Sequence, residues 1–200
     1  MTLKTTTRSL ALAALLGATA LTLPALAQDP STITGGFDVG PGGFQGNFNP
    51  LAATSGLTWL SVYYEPLVIY NAELTQLEGA LASEWSMSED QREITFTLVE
   101  ETWHDGEAFT SADVKFTLEL AKNAAAGSVF AARLGAITSV DTPDDRTVVV
   151  TLSNPDTGLL STLAQVMILP EHALKDIAPE ELATSTWWAT TPIGTGPYKF

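Results

Sequence analysis

The amino-acid sequence predicts a mixed α/β fold, because stretches with the two-residue repeat of a half-buried strand alternate with stretches spaced like an amphipathic helix. The clearest strand covers residues 93–99, where apolar residues alternate with threonines. The clearest helix begins with residues 110–113, whose Thr-Ser-Ala-Asp sequence resembles a capping box, and it runs to about Lys122. The chain contains no internal repeat.

The other elements follow in order, and each is bounded by glycine, proline or polar turn residues. His104, Asp105 and Gly106 form one such turn, in which glycine can take a positive φ. We predict a helix at 57–65, strands at 67–70 and 81–87, a turn at 88–92 that pairs 81–87 with 93–99, a turn at 143–145, a strand at 146–152, a helix at 158–166, a strand at 167–169, one short helix, a loop at 191–197 and a strand at 198–200.

Composition indicates an acidic globular protein. Of its 200 residues, 45% are hydrophobic and 16% are charged, which is typical of chains that bury a core. Twenty-three acidic residues against nine basic ones give a net charge of −14, and this argues against nucleic acid or an anionic membrane as a partner. We interpret the acidity as a well-solvated surface, with attraction of cationic ligands as the alternative.

The first residues are predicted to be an export signal. Lys4 and Arg8 precede an apolar run at 10–23, and Ala25-Leu26-Ala27 then forms a small-x-small cleavage pattern, so we expect cleavage after Ala27. The alternative is a membrane anchor, but the run is short for a bilayer. Because the sequence has no cysteine, we expect neither disulfides nor a lipoprotein anchor. The prediction is a periplasmic protein that does not insert into the membrane after cleavage.

Residues that would carry chemistry are sparse. His104 and His172 are the only histidines and lie far apart in sequence, so we expect structural surface roles and no metal site. Gly194-Thr195-Gly196 lacks the lysine of a phosphate loop, and no serine sits in a nucleophile elbow. Accordingly, we predict no cofactor and no enzymatic activity. Residues 35–46, rich in glycine, are either a linker behind the signal or a loop that approaches a ligand.

Eight segments, taken in order from about Asn49 onward, form a recognisable series. They are Asn49-Pro50, VYYEPLV at 62–68, ALASEW at 80–85, SED at 88–90, ITFTL at 94–98, WHDGE at 103–107, FTSADVKF at 109–116 and PIGTGPY at 192–198. In their order and spacing they resemble family 5 of the bacterial extracellular solute-binding proteins. Two departures lie in the predicted hairpin: Val99 ends its second strand where the family usually has arginine, and Gln91 stands in its turn where the family often has glycine.

This resemblance implies the first lobe of a type II-like periplasmic binding protein with an inserted smaller subdomain. We expect 28–65 to begin the main subdomain, 66–190 to form the insert, and 191–200 to return to the main subdomain. Family members are longer, so the second lobe is expected to be absent from this chain, which we take to be an N-terminal fragment.

The resemblance also implies a ligand site. The segment after Asn49-Pro50 lines the family's cleft, which here means Thr54, Ser55 and Gly56. Trp59 joins them if its helix faces inward, and Phe130 falls where a second family contact comes after the Thr110 helix. For Trp59 and Phe130, an ordinary place in the core is the alternative. Trp85, Phe96, Trp103 and Phe116 are not candidate contacts, and we expect them to be packed together in the core.

The function implied is capture of a peptide or similar solute by a monomer and its delivery to an inner-membrane ABC permease. Two alternatives stay open: the same scaffold acting as a ligand sensor or chaperone, and an exported hydrolase. Family members bind peptides, nickel complexes, haem, opines or oligosaccharides, so the sequence of this lobe leaves the ligand class open.

Overall fold

The computed structural model describes residues 48–53 and 60–200, and it confirms the mixed α/β class. In chain order the described elements are β1 (Val68–Tyr70), β2 (Leu77–Gly79), β3 (Ala82–Met87), β4 (Glu93–Leu98), α1 (Ser111–Lys122), a 3₁₀ turn (Ala124–Ala126), β5 (Ile137–Asp144), β6 (Thr147–Leu152), α2 (Leu159–Leu163), α3 (Glu171–Leu174), α4 (Pro179–Leu182) and α5 (Trp187–Thr190).

An antiparallel four-stranded sheet in the order β3-β4-β6-β5 forms the centre, and β1 and β2 pair separately. The predicted hairpin is confirmed, with Trp85 opposite Phe96 across β3 and β4. Helix α1 packs against β5 and β6, and its predicted apolar face is buried: Val114, Leu118 and Ala121 have no exposed surface. The sheet and α1 thus enclose the core that the two periodicities predict.

The predicted turn at 143–145 is wrong. Strand β5 runs through Pro143 to Asp144, and only Asp145 and Arg146 separate it from β6. A proline is tolerated here because β5 is an edge strand, so one side of its backbone needs no sheet partner. Strand β2 was also not predicted, since three residues with one apolar side chain give no periodic signal.

Several short elements, most of them after β6, also differ from expectation. Three helices, α3 to α5, replace the single one predicted, and residues 198–200 are not a strand. Met167 makes only an isolated bridge to Pro66. The described part of the predicted helix 57–65 ends at Leu60, whose carbonyl accepts from the N–H groups of Tyr63 and Tyr64 in a closing turn.

Aromatic packing follows the prediction only in part. Phe96 and Trp103 are buried, whereas Trp85 and Phe116 are half-buried at the edge of the core. Among the described residues, no helix is both long enough and apolar enough to cross a bilayer.

The turn between β3 and β4 places a non-glycine residue in the left-handed region. Gln91 has φ of 56°, and its N–H donates to the Ser88 carbonyl oxygen at 2.9 Å. A side chain in this region crowds the backbone, whereas glycine adopts it freely. This is the position at which the family that the sequence resembles often carries glycine.

We therefore expect Gln91→Gly to raise the free energy of unfolding by about 0.5–1 kcal/mol. The measurement is the urea midpoint of the full-length variant against wild type. Asp90→Gly is the control, because Asp90 accepts hydrogen bonds from Ser88 and from the Arg92 N–H, and its loss lowers stability. A lower midpoint for Gln91→Gly contradicts the strain at this turn.

Candidate functional site

The predicted ligand contacts fall in two places along the chain. Thr54, Ser55, Gly56 and Trp59 lie outside the described residues. Phe130 is described, in the connection between the 3₁₀ turn and β5, and only 1% of it is exposed. Its N–H donates to the Ser128 hydroxyl at 3.1 Å, and its carbonyl accepts from the Leu134 N–H at 3.0 Å, so this loop is held in a compact turn.

The loop that carries Phe130 is bonded to the segment just before Thr54. The Val129 N–H donates to the Leu51 carbonyl oxygen at 2.9 Å, and the Leu51 N–H donates to the Asn49 side chain at 2.9 Å. Asn49 and Leu51 are both buried. The structure therefore places the end of the Asn49-Pro50 motif beside the loop of the second predicted contact, although the bonded Leu51 and Val129 are 78 positions apart in sequence.

Arg133 also belongs to this loop, and sequence reasoning missed it. Its guanidinium carbon lies 5.5 Å from the centre of the Phe130 ring, which is within the range of a cation–π contact. Its Nη1 donates to Oε1 of Gln165 at 3.3 Å, and the Gln165 amide donates to the Ser161 carbonyl at 3.1 Å. The available signal was a basic residue three positions after Phe130 in an acidic chain.

A second region joins residues 62–65 to the Gly194-Thr195-Gly196 loop. The Gly196 N–H donates to the Tyr63 carbonyl oxygen at 2.9 Å, and the Tyr198 N–H donates to the Val62 carbonyl oxygen at 3.0 Å. A Cβ atom on Gly194 would lie 1.7 Å from the Tyr63 carbonyl oxygen, and one on Gly196 would lie 2.6 Å from the Tyr63 carbonyl carbon. Both glycines are therefore required by close approach of two backbones.

The His104 turn closes over this glycine loop. Its backbone N–H donates to the Gly194 carbonyl at 2.9 Å, and its Nε2 lies 2.7 Å from the Gly196 carbonyl oxygen, which fixes Nε2 as the donor. The predicted turn is confirmed, with Gly106 at φ of 96°. Loop and turn are thus joined through backbone groups.

Glu65 is the ionisable group most affected by this packing. Burial raises the pKa of its carboxyl, the nearby Thr195 hydroxyl lowers it, the Glu101 carboxylate raises it and His104 lowers it, with a net rise. Its folded pKa above the unfolded value means that Glu65 favours the folded state most in acid, and this benefit is lost as the pH rises through the folded pKa. The Glu65 carboxyl is therefore a structural group, packed near Thr195, Glu101 and His104.

Asp113 connects three elements from inside the core. Its Oδ2 accepts from Trp103 Nε1 at 3.3 Å and from the Thr110 N–H at 2.9 Å, which confirms the predicted capping position. Its Oδ1 accepts from the Glu171 N–H at 2.8 Å, at the start of α3. With 4% exposure, this carboxyl ties the His104 turn, α1 and α3 together.

His172 pairs with Asp105 at the surface, 2.8 Å between Nε2 and Oδ2. Burial opposes ionisation of Asp105, but hydrogen bonds from His172 and from the Glu107 N–H outweigh it and lower its pKa. Both histidines therefore have protein partners. Within residues 48–53 and 60–200, no group of three or more potential metal ligands comes together.

The described residues superpose on solved periplasmic binding proteins. The structure of NikZ from Campylobacter jejuni in complex with Ni(L-His) matches with a TM-score of 0.69 and 32% identity, over 77% of this chain and 30% of that one. DppA from Helicobacter pylori, in complex with the peptide STSA, matches with a TM-score of 0.63 and 26% identity, over 77% and 34%. The fold is that of part of a type II periplasmic binding protein, because the chain covers about a third of each of these structures.

Sequence comparison gives the family. Residues 76–200 match the model of the bacterial extracellular solute-binding proteins, family 5, and the chain belongs to that family. A protein of Brucella ovis named as an ABC transporter peptide-binding protein is 58% identical over 192 residues, which is 96% of this chain and 36% of the relative. The chain thus spans about a third of the length of the relatives it matches.

Proposed function

We propose that the full-length protein binds a peptide and delivers it to an ABC importer in the inner membrane. The observation that carries this proposal is the high identity to the Brucella ovis relative along nearly the whole chain, because that relative is named for peptide binding. The fold shared with peptide-bound DppA of Helicobacter pylori supports the same ligand class.

The cellular location and the domain arrangement of the protein are part of the same proposal. A signal peptide cleaved after Ala27 would deliver the protein to the periplasm, where it would act as a monomeric binding protein and not as an enzyme. Residues 28–65 and 191–200 would belong to the main subdomain and 66–190 to the insert. The ligand would lie in a cleft closed by a second lobe, as in hinged binding proteins.

The proposed ligand contacts are Thr54, Ser55, Gly56, Trp59 and Phe130. Support for Phe130 is its position beside Leu51, because the Val129–Leu51 hydrogen bond brings its loop to the segment that leads into Thr54. Its nearly complete burial means that Phe130 would form the wall of the pocket and meet the ligand through its ring edge or its loop.

The first experiment is native mass spectrometry of the full-length mature protein purified from the periplasm. A bound mass that disappears on denaturation supports the proposed function and identifies the solute. A protein that arrives empty and gains no thermal stability from di-, tri- or tetrapeptides contradicts it. Loss of peptide uptake in a deletion strain then separates an importer component from a sensor.

We expect Phe130→Leu to weaken peptide binding by about fivefold to tenfold, because it removes aromatic surface from the pocket wall. Isothermal titration of the full-length variant measures this change. Phe116→Leu is the matched control, since Phe116 is half-buried on α1 and is not a predicted contact. Equal affinity of both variants for peptide contradicts the placement of the site at Phe130.

A further inference from the structure

Arg133 is a cation that forms no ion pair within the part of this acidic chain that the structure describes. The chain has nine basic residues against twenty-three acidic ones. Ion pairs among the described residues join His172 to Asp105 and Lys175 to Glu171, and Arg133 forms none with the carboxylates of residues 48–53 and 60–200. Its side chain is exposed, so the absence of a carboxylate partner leaves it available to a solute.

The orientation of Arg133 is nevertheless fixed. The buried Phe130 ring lies beneath the guanidinium at 5.5 Å, and the Gln165 side chain accepts one of its hydrogen bonds at 3.3 Å. Gln165 is held in turn by its hydrogen bond to the Ser161 carbonyl oxygen, which sets the amide oxygen toward Arg133. A guanidinium has five N–H donors, so most of its donors remain for another acceptor.

Such a group is suited to a planar anion. Arginine binds carboxylates through two parallel hydrogen bonds, and a guanidinium already held in place loses less conformational freedom on binding. The net negative charge of the chain makes the arrangement more selective, because an anionic ligand is repelled by the acidic surface as a whole and attracted near a basic side chain such as Arg133.

We propose that Arg133 binds a carboxylate group of the captured solute, so that this lobe selects ligands with a negative charge near Phe130. The inference rests on the proposed function, since it requires the ligand to lie beside the Phe130 loop. It adds a specificity-determining residue and a ligand chemistry to that site.

The test compares alanine tripeptide with its C-terminal amide, using the full-length protein in isothermal titrations. For Arg133→Gln we expect affinity for the free acid to fall by about tenfold and affinity for the amide to change less than twofold. Arg133→Lys is expected to lie between Arg133→Gln and wild type, because it keeps the charge but loses the planar fork. Arg92→Gln, at the exposed β3–β4 turn, is the matched control and is expected to behave as wild type with both peptides.

Each other outcome overturns the inference. Equal losses for acid and amide show that Arg133 only supports the Phe130 loop, and unchanged affinity for both shows that it faces away from the ligand. If wild type binds the acid and the amide with equal affinity, no arginine of the protein binds the peptide carboxylate selectively. If wild type binds neither tripeptide nor alanine peptides of two to five residues, the proposed peptide-binding function fails, and the inference falls with it.

Discussion

Gly194→Ala is expected to destabilise the protein by about 3 kcal/mol or more, enough to deplete the soluble folded form. The added Cβ would lie 1.7 Å from the Tyr63 carbonyl oxygen and 2.7 Å from its carbonyl carbon. Both contacts are with backbone, so no side-chain rotation can relieve them. The two segments would have to separate, with loss of the His104–Gly194 and Gly196–Tyr63 hydrogen bonds.

Soluble yield and the thermal midpoint of the full-length variant measure this effect. Gly158→Ala is the matched control, because the Cβ it adds would meet only the Asp156 side chain, at 3.3 Å, and Gly158 has an ordinary helical φ of −89°. We expect the control to stay within about 0.5 kcal/mol of wild type. A normal midpoint for Gly194→Ala would show that residues 63 and 194 do not pack this closely.

Asp113→Asn is expected to lower the free energy of unfolding by about 2–3 kcal/mol. Both carboxyl oxygens of the buried Asp113 accept hydrogen bonds, Oδ2 from the buried Trp103 and the half-buried Thr110, and Oδ1 from the half-buried Glu171. An asparagine has only one oxygen, so its NH₂ group must face at least one of these N–H groups and leave that donor without an acceptor. The change in volume is negligible, and the loss therefore reports hydrogen bonding alone.

Urea denaturation of the full-length variants measures the loss. Asp176→Asn supplies the comparison, because Asp176 is exposed in the turn after α3 and is expected to change stability by less than about 0.5 kcal/mol. The binding of a peptide probe at 25 °C should be unchanged in the fraction that stays folded, since Asp113 is not a predicted ligand contact. Equal urea midpoints for the two variants would refute the role assigned to Asp113.

The parts of the fold that could be predicted from sequence are those set by local patterning. The β3–β4 hairpin and α1 were predicted because alternation in residues 94–98 and the Thr110 capping position are properties of neighbouring residues. Strand β5 was missed because Pro143 indicates a turn unless the strand is known to lie at an edge. Whether a strand is an edge strand depends on the whole sheet.

In the candidate site, too, some features could be predicted from the sequence and others depend on the three-dimensional fold. Phe130 was selected through the family resemblance, and its contact with Leu51 through Val129 emerged only in three dimensions. Arg133 carried no pattern of its own, because the stacking on Phe130 and the bond to Gln165 arise from the fold of the loop. Thr54, Ser55, Gly56 and Trp59 stay predictions, as do the subdomain boundaries.

The pairing of residues 62–63 with residues 196–198 puts the two ends of the intervening chain side by side. A segment whose first and last residues already touch can be added to a host chain in the manner of a long loop, because the host needs only the short gap that a hairpin would fill. Under the proposed division into subdomains, the predicted insert at 66–190 can change in length without moving the paired residues at its two ends. The same geometry makes the 62–63 and 196–198 positions suitable sites for circular permutation of the intervening segment.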